Sequence, residues 1–167
     1  MTLKEIKLLH AFNAWANNRI FAVVETMSPE DVTKDMKSSH GSIYGTLVHM
    51  VAAEKIWHSR LIGKPEPTMM PPEEAPTLPA LKAIWERVGY ETAKFVGTLN
   101  DKKLQETFTM QTTAGETFTY VYWQAMQHVV DHSSYHGGQI ITLMRQQGHT
   151  PPSTGLIRFY RETAKLS

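Results

Sequence analysis

His128, His132 and His136 recur at intervals of four. On a helix each interval turns the chain by about 40° and raises it about 6 Å, so neighbours share a face. The same sector carries Val121, Ala125, Gln139 and Leu143, which places the imidazoles in an apolar stripe. If that stripe faces a core, all three rings are buried, and burial disfavours a charged imidazole and demands partners for both ring nitrogens. Neutral imidazole is a ligand for transition-metal ions, and a pair spaced i,i+4 offers two nitrogens to one ion from consecutive turns. A further ligand must come from another element. His49 is the best placed, within the largely apolar run Thr46 to Ala53. His10, His40, His58 and His149 fall near helix ends or in loops and read as bystanders.

Three imidazoles leave a divalent ion its full charge and an open position, the pattern of catalytic rather than closed structural sites. Water in that position is acidified towards neutrality, and a thiolate could occupy it equally well. The chain has no cysteine, so any sulfur must arrive on a small molecule. Glu54 falls mid-helix between Met50 and Trp57 on an apolar face, where a carboxylate needs a partner. It could orient a ligand imidazole, act as a base, or pair with a helix-end Arg or Lys. Gln139 could bond a metal-bound water or cap the core. Asp131 and Tyr135 flank the stripe, and Trp15 and Trp57 read as core or interface residues.

Helical periodicity dominates the elements that must hold these groups. One helix is expected from Leu3 to Met27, a short turn opened by Ser28-Pro29, a second helix from Ser42 to Ile62 and a third from Leu78 to Leu99. Between the last two, Lys64 to Pro79 holds six of the nine prolines and reads as a surface crossover or a lid. Alternating β-branched and aromatic residues at Thr107–Met110 and Glu116–Tyr120, around Thr112 to Gly115, predict a β-hairpin. The longest helix spans Tyr120 to Gln147, ahead of Gly148 and two prolines, and a tail helix runs from Ser153 to Lys165. Four amphipathic helices bury their stripes most simply as an all-α four-helix bundle, here a single domain over 1–167.

Composition sets the outer bounds. The 167 residues carry 17 Lys+Arg against 16 Asp+Glu, a net charge of +1 that gives no reason to expect a nucleic-acid partner. The absence of cysteine excludes disulfides, zinc fingers and thiol nucleophiles. No run reaches the roughly 18 apolar residues of a membrane span, and the N-terminus lacks a signal-peptide pattern, so a soluble cytoplasmic protein is expected. The chain contains no Glu-x-x-His, His-Glu-x-x-His, Gly-x-Ser-x-Gly, P-loop or Rossmann fingerprint.

The segment His128 to Ile140, ending in Gly137-Gly138-Gln139-Ile140, resembles the last-helix motif of the DinB/YfiT-like family. Ile43 to Met50 resembles its second-helix histidine motif, and Asn13-Ala14-Trp15-Ala16-Asn17 is similar to its first-helix signature. The resemblance spans nearly the whole chain. It implies a four-helix bundle with crossover topology, a homodimer, and one divalent ion, nickel or zinc, on His49, His132 and His136. His128 is then a neighbour of the ligands, as Asp131 and Tyr135 are; a site tilted the other way would use His128 with His132. Members of the family resemble thiol-dependent transferases that use bacillithiol or mycothiol. The expected activity is therefore a thiol-dependent S-transferase or a hydrolase on a small-molecule substrate, with Glu54 and Gln139 as catalytic candidates. The alternatives are a non-catalytic bundle stapled by the metal and a metal-free small-molecule binder.

Overall fold

A computed structural model describes residues 1–163. Helix α1 (Leu3–Val24) starts at a capping box in which Thr2 and Glu5 satisfy each other's free backbone N–H groups. Ser28 caps α2 (Pro29–Thr33), Ser42 caps α3 (Ile43–Leu61) and Thr77 caps α4 (Leu78–Gly97). A short α5 (Asp101–Leu104), which periodicity does not reveal, leads into the hairpin β1 (Thr107–Gln111) and β2 (Thr117–Val121). The strands pair antiparallel with Thr109 opposite Thr119, as the alternation predicts. Helix α6 (Tyr122–Gln146) follows at once, so it starts two residues later than expected because β2 runs to Val121. Gly148, in the left-handed region at φ 82°, ends the run after it. The tail helix α7 covers Leu156–Thr163; the expected end at Lys165 lies outside the described residues.

Contacts fix the direction of each helix. Asn17 meets Ser133 and Ile20 meets Gly137, so α1 and α6 run parallel. His49 faces His136, and Trp57 faces His128, so α3 is antiparallel to α6. Glu25 at the end of α1 pairs with Lys82 at the start of α4, and Phe21 stacks on Trp85, so α4 opposes α1 and runs with α3. The order around the bundle is α1, α6, α3, α4. Two parallel helices in succession need a long return. Lys64 to Pro79 provides it by running back along α3. Lys55 of α3 holds Glu66 and Glu74 of this segment, the Tyr44 hydroxyl donates to the Ala75 carbonyl, and Met70 and Ala75 are buried in the core. The segment is therefore packed cover rather than a free lid.

The core is made of Ile20, Phe21 and Val24 with Leu47, Met50, Val51, Leu81, Ile140 and Met144. Phe159 of α7 packs edge-on against Phe12 and Trp15, so Trp15 lies half-buried on the edge of the small cluster of Phe12, Ala16, Val130 and Phe159. Among the described residues no helix is long and apolar enough to cross a membrane.

The Tyr44 hydroxyl ties the return segment to the first turn of α3. Tyr44→Phe is expected to lower unfolding free energy by about 1 kcal/mol and to speed proteolysis within 64–79. Urea denaturation and mass-mapped limited digestion check this; unchanged values in both would show that the tie carries no weight.

Candidate metal centre

The antiparallel α3–α6 contact sets His49 opposite His132 and His136. The His49 and His132 rings lie 5.0 Å apart, those of His49 and His136 4.6 Å, and those of His132 and His136 4.4 Å. His132 Nε2 stands 3.1 Å from His49 Nε2. Two nitrogens bound to one ion at about 2.1 Å are separated by about 3.0–3.4 Å, so this contact suits a shared ion. In its absence the same distance suits an N–H···N hydrogen bond.

His40, read from sequence as a bystander, joins the group. Its ring stacks on that of His49 at 4.0 Å and an interplanar angle of 17°, and meets His136 edge-on at 5.2 Å. The ligand atoms of His40, His49 and His136 all lie within 4.8 Å of one another. Its position follows from the loop before α3. Gly41 is left-handed at φ 73°, and its carbonyl accepts from the Met36 amide. At Gly45, a Cβ would sit 2.1 Å from the His40 carbonyl oxygen, so only glycine lets this loop lie on the helix. That glycine, inside the Ile43–Met50 motif, was the signal that could have found His40. Helical periodicity says nothing about a loop residue.

The three imidazoles of α6 are not equally buried. His136 is buried, His132 is half-buried and His128 is exposed. Two steps of about 40° rotate the stripe by about 80°, which carries it from surface to core along the helix. His128 lies edge-on to Trp57 at 5.0 Å, and its ring is 5.8 Å from that of His132. Trp57 and His128, with Tyr120, Trp123 and Asp131, line an open cleft of about 760 Å³. Trp57 is thus a cleft wall rather than a sealed core residue. Tyr135 is 65% exposed, with its ring against His136.

The ring nitrogens are prepared for ligation. Gln139 Oε1 lies 2.7 Å from His136 Nδ1. A carbonyl oxygen only accepts, so Nδ1 donates to it and Nε2 is the nitrogen left to meet an ion. Burial, then the neighbouring His40 and His136, push His49 from 6.5 down to about 4. Burial, then His136 and His49, does the same to His132, which also falls to about 4. His40 is lowered by burial and by His136. Among the described residues no carboxylate hydrogen-bonds to these rings. Packed imidazoles to which no carboxylate is hydrogen-bonded among the described residues form a donor set that fits a divalent transition-metal ion.

Glu54 belongs to a second polar cluster, about a turn and a half further along α3. Its Oε1 accepts from Asn13 Nδ2 at 2.8 Å, Ser133 Oγ at 2.9 Å and Asn17 Nδ2 at 3.2 Å. Burial raises its pKa, while hydrogen bonds from Asn13, Ser133, Trp85 and Asn17 pull it down. Its partners are two amides, a hydroxyl and the Trp85 indole; neither a ligand imidazole nor a cation hydrogen-bonds to it among the described residues. Two of the three remaining histidines serve other contacts: His58 Nδ1 lies 3.0 Å from Thr92 Oγ1, and His149 pairs with Asp31 at 3.1 Å.

The sequence model of the DinB family matches residues 1–165 of the chain. Protein DinB of Bacillus subtilis (strain 168) is 24% identical over 167 aligned residues, spanning 94% of this chain and 95% of that protein.

Two outcomes are expected from this geometry. Unfolding returns His49 and His132 from about 4 to 6.5, so the unfolded chain binds more protons between those values. Their contribution is complete above about 6.5 and is lost as pH falls through about 4. The raised Glu54 acts in the opposite sense, present below its ordinary 4.5 and lost as pH rises. For the protein freed of divalent ions, the urea midpoint should fall from pH 6.5 to 4. The His49→Gln/His132→Gln double variant should show a shallower fall; equal slopes would contradict the assignment. Separately, Gly45→Ala should push the His40 loop off α3 and change the His40 ring shifts in NMR spectra while the helical circular dichroism stays intact. Unmoved His40 shifts would contradict the close contact.

Proposed function

The chain belongs to the DinB family, and from that membership and its imidazole cluster we propose a divalent-metal-dependent enzyme, an S-transferase or hydrolase acting on a small molecule. The observation that carries the reading is the convergence of imidazoles from α3, α6 and the loop before α3, whose ligand atoms lie within 4.8 Å of one another.

In this reading His49, His132 and His136 hold the ion, and His40 stands on the same rings where a fourth ligand would enter. Nickel and zinc both suit nitrogen donors. A bound ion supplies a Lewis acid with an exchangeable position, able to acidify a water or a small thiol such as bacillithiol. Gln139 fixes the tautomer of His136 rather than touching substrate. Trp57, Tyr120 and Trp123 offer apolar surface to a substrate body, while His128 and Asp131 line the same cleft with polar groups. Glu54 stabilises the α1–α3–α6 junction and is not the base. The homodimer and the cytoplasmic setting expected from the sequence, with no nucleic-acid partner, remain part of this reading.

A second reading is favoured by one observation, the presence of His40. Four imidazoles around an ion would close it, as in structural zinc sites, and the metal would then act as a staple.

Metal content of untagged protein, measured by plasma mass spectrometry after growth with nickel and zinc, tests the assignment. Wild type should hold one ion per chain. His49→Ala, His132→Ala and His136→Ala should each lose most of it, while His40→Ala should retain the ion and exchange it faster. Loss in His40→Ala with retention in His132→Ala would move the ligand set to His40, His49 and His136. No stoichiometric ion in wild type under either supply would end the metal reading.

A further inference from the structure

The α3–α6 seam holds the imidazoles, and the α1–α4 seam lies across the bundle from it. Helices α1 and α4 touch less than any other neighbouring pair of the four long helices. Between them the surface dips into a groove of about 630 Å³. Its outer walls are small. Ala11 and Ala14 of α1 and Gly89, Ala93 and Gly97 of α4 line it, and all but the half-buried Gly89 are exposed. Glycine inside a helix is destabilising relative to alanine. Nothing within the chain asks for it at Gly89, where a Cβ would meet no atom within 4 Å. Tyr90 stands on the same groove, 71% exposed. A large bare ring thus lies next to a small-walled hollow on one helix, where the chain cannot fit one into the other.

The charges show what can. Phe21 stacks on Trp85 and Glu25 pairs with Lys82, which fixes the levels of these antiparallel helices against each other. Counting in equal steps from those pairs, Ala14 lies level with Ala93, and Lys7 lies two or three residues beyond Gly97. Lys7 and Glu86 therefore stand at opposite ends of the groove, roughly 20 Å apart. Both line it and both are exposed. Lys82, whose charge reaches Glu86, is already held by Glu25 at 2.7 Å.

The midpoint between Lys7 and Glu86 falls at Ala93. A two-fold axis there brings Lys7 to the partner's Glu86 and Glu86 to the partner's Lys7. The same axis sets Tyr90 level with the partner's Ala11, between its Ala93 and Gly97. An isologous contact requires this kind of match, in which each end of one patch meets the other end of its copy.

We propose that the α1–α4 face is the surface through which two copies of this chain pair, α4 against α4 about an axis at Ala93. The inference rests on the homodimer of the proposed function and gives it a face. Tyr90 is the anchor on each side, the glycines and alanines let the backbones approach, and the Lys7–Glu86 pairs at the two ends fix the register. The imidazole centres lie on the outer sides of such a dimer, so each chain keeps its own complete centre.

Sedimentation of the full-length protein from about 1 to 500 μM should show a reversible dimer. Ala93→Glu sets two like charges face to face on the axis and should give monomers with unchanged helical circular dichroism and unchanged ion content. Lys7→Glu and Glu86→Lys should each raise the dimer Kd about tenfold. An equimolar mixture of those two variants should pair as tightly as wild type, because each reversed charge then meets its opposite. The chain has no cysteine, so Ala93→Cys should crosslink to its own copy on mild oxidation, while Thr142→Cys on α6 should not. Monomers throughout would overturn the proposal and the homodimer together. A dimer insensitive to Ala93→Glu, or a mixture no tighter than either variant alone, would overturn this face and leave the homodimer standing. A chain that holds no ion but still crosslinks through Ala93→Cys would support the face and end only the metal reading.

Discussion

The antiparallel contact of α3 with α6 carries both polar clusters of this protein. At one level it brings His49 against His132 and His136; further along α3 it brings Glu54 against Ser133. Each cluster would be costly to bury alone, because neutral rings and a carboxyl need partners once water is excluded. The helices satisfy them only in this register. A slip of one residue would turn both sets by about 100° and leave each buried group unmatched. The apolar core adds cohesion on either side, but the polar matches select this pairing among the many that would bury leucine and valine equally well.

The crossover serves the same contact. Running α4 alongside α3 leaves α6 free to pack between α1 and α3. Asn13 and Asn17 of α1 can then reach Glu54 while Ser133 reaches it from α6. The return segment holds this arrangement through Lys55 and Tyr44. The close approach of α1 to α6 depends on Gly137, where a Cβ would come 3.1 Å from Ile20 Cδ1. The consequence is a tight half of the bundle, where the imidazoles sit, and a loose seam between α1 and α4, where small residues leave room.

Much of this was legible from sequence because helices announce their faces. The intervals of four in α6, the apolar surroundings of His49 and the alternation in the hairpin each have a period, and a period gives direction. His40 had none. It lies in a loop, and only the steric demand at Gly45 ties it to α3. The partners of Glu54 were visible as Asn13 and Asn17, spaced i,i+4 within the first-helix signature. Nothing in the pattern said that they, rather than an imidazole or a cation, would meet the carboxyl. The rotation of the α6 stripe was predictable in principle, since three histidines over two turns cannot all face one line. His128 at the surface is its result.

These imidazoles are placed to act as the nitrogen donors of one metal centre. X-ray absorption at the metal edge of the zinc- or nickel-loaded protein measures it most directly. A shell of at least three nitrogens at about 2.0–2.1 Å, with the outer scattering pattern of imidazole rings, is expected. A shell dominated by carboxylate or water oxygens, without imidazole scattering, would contradict it.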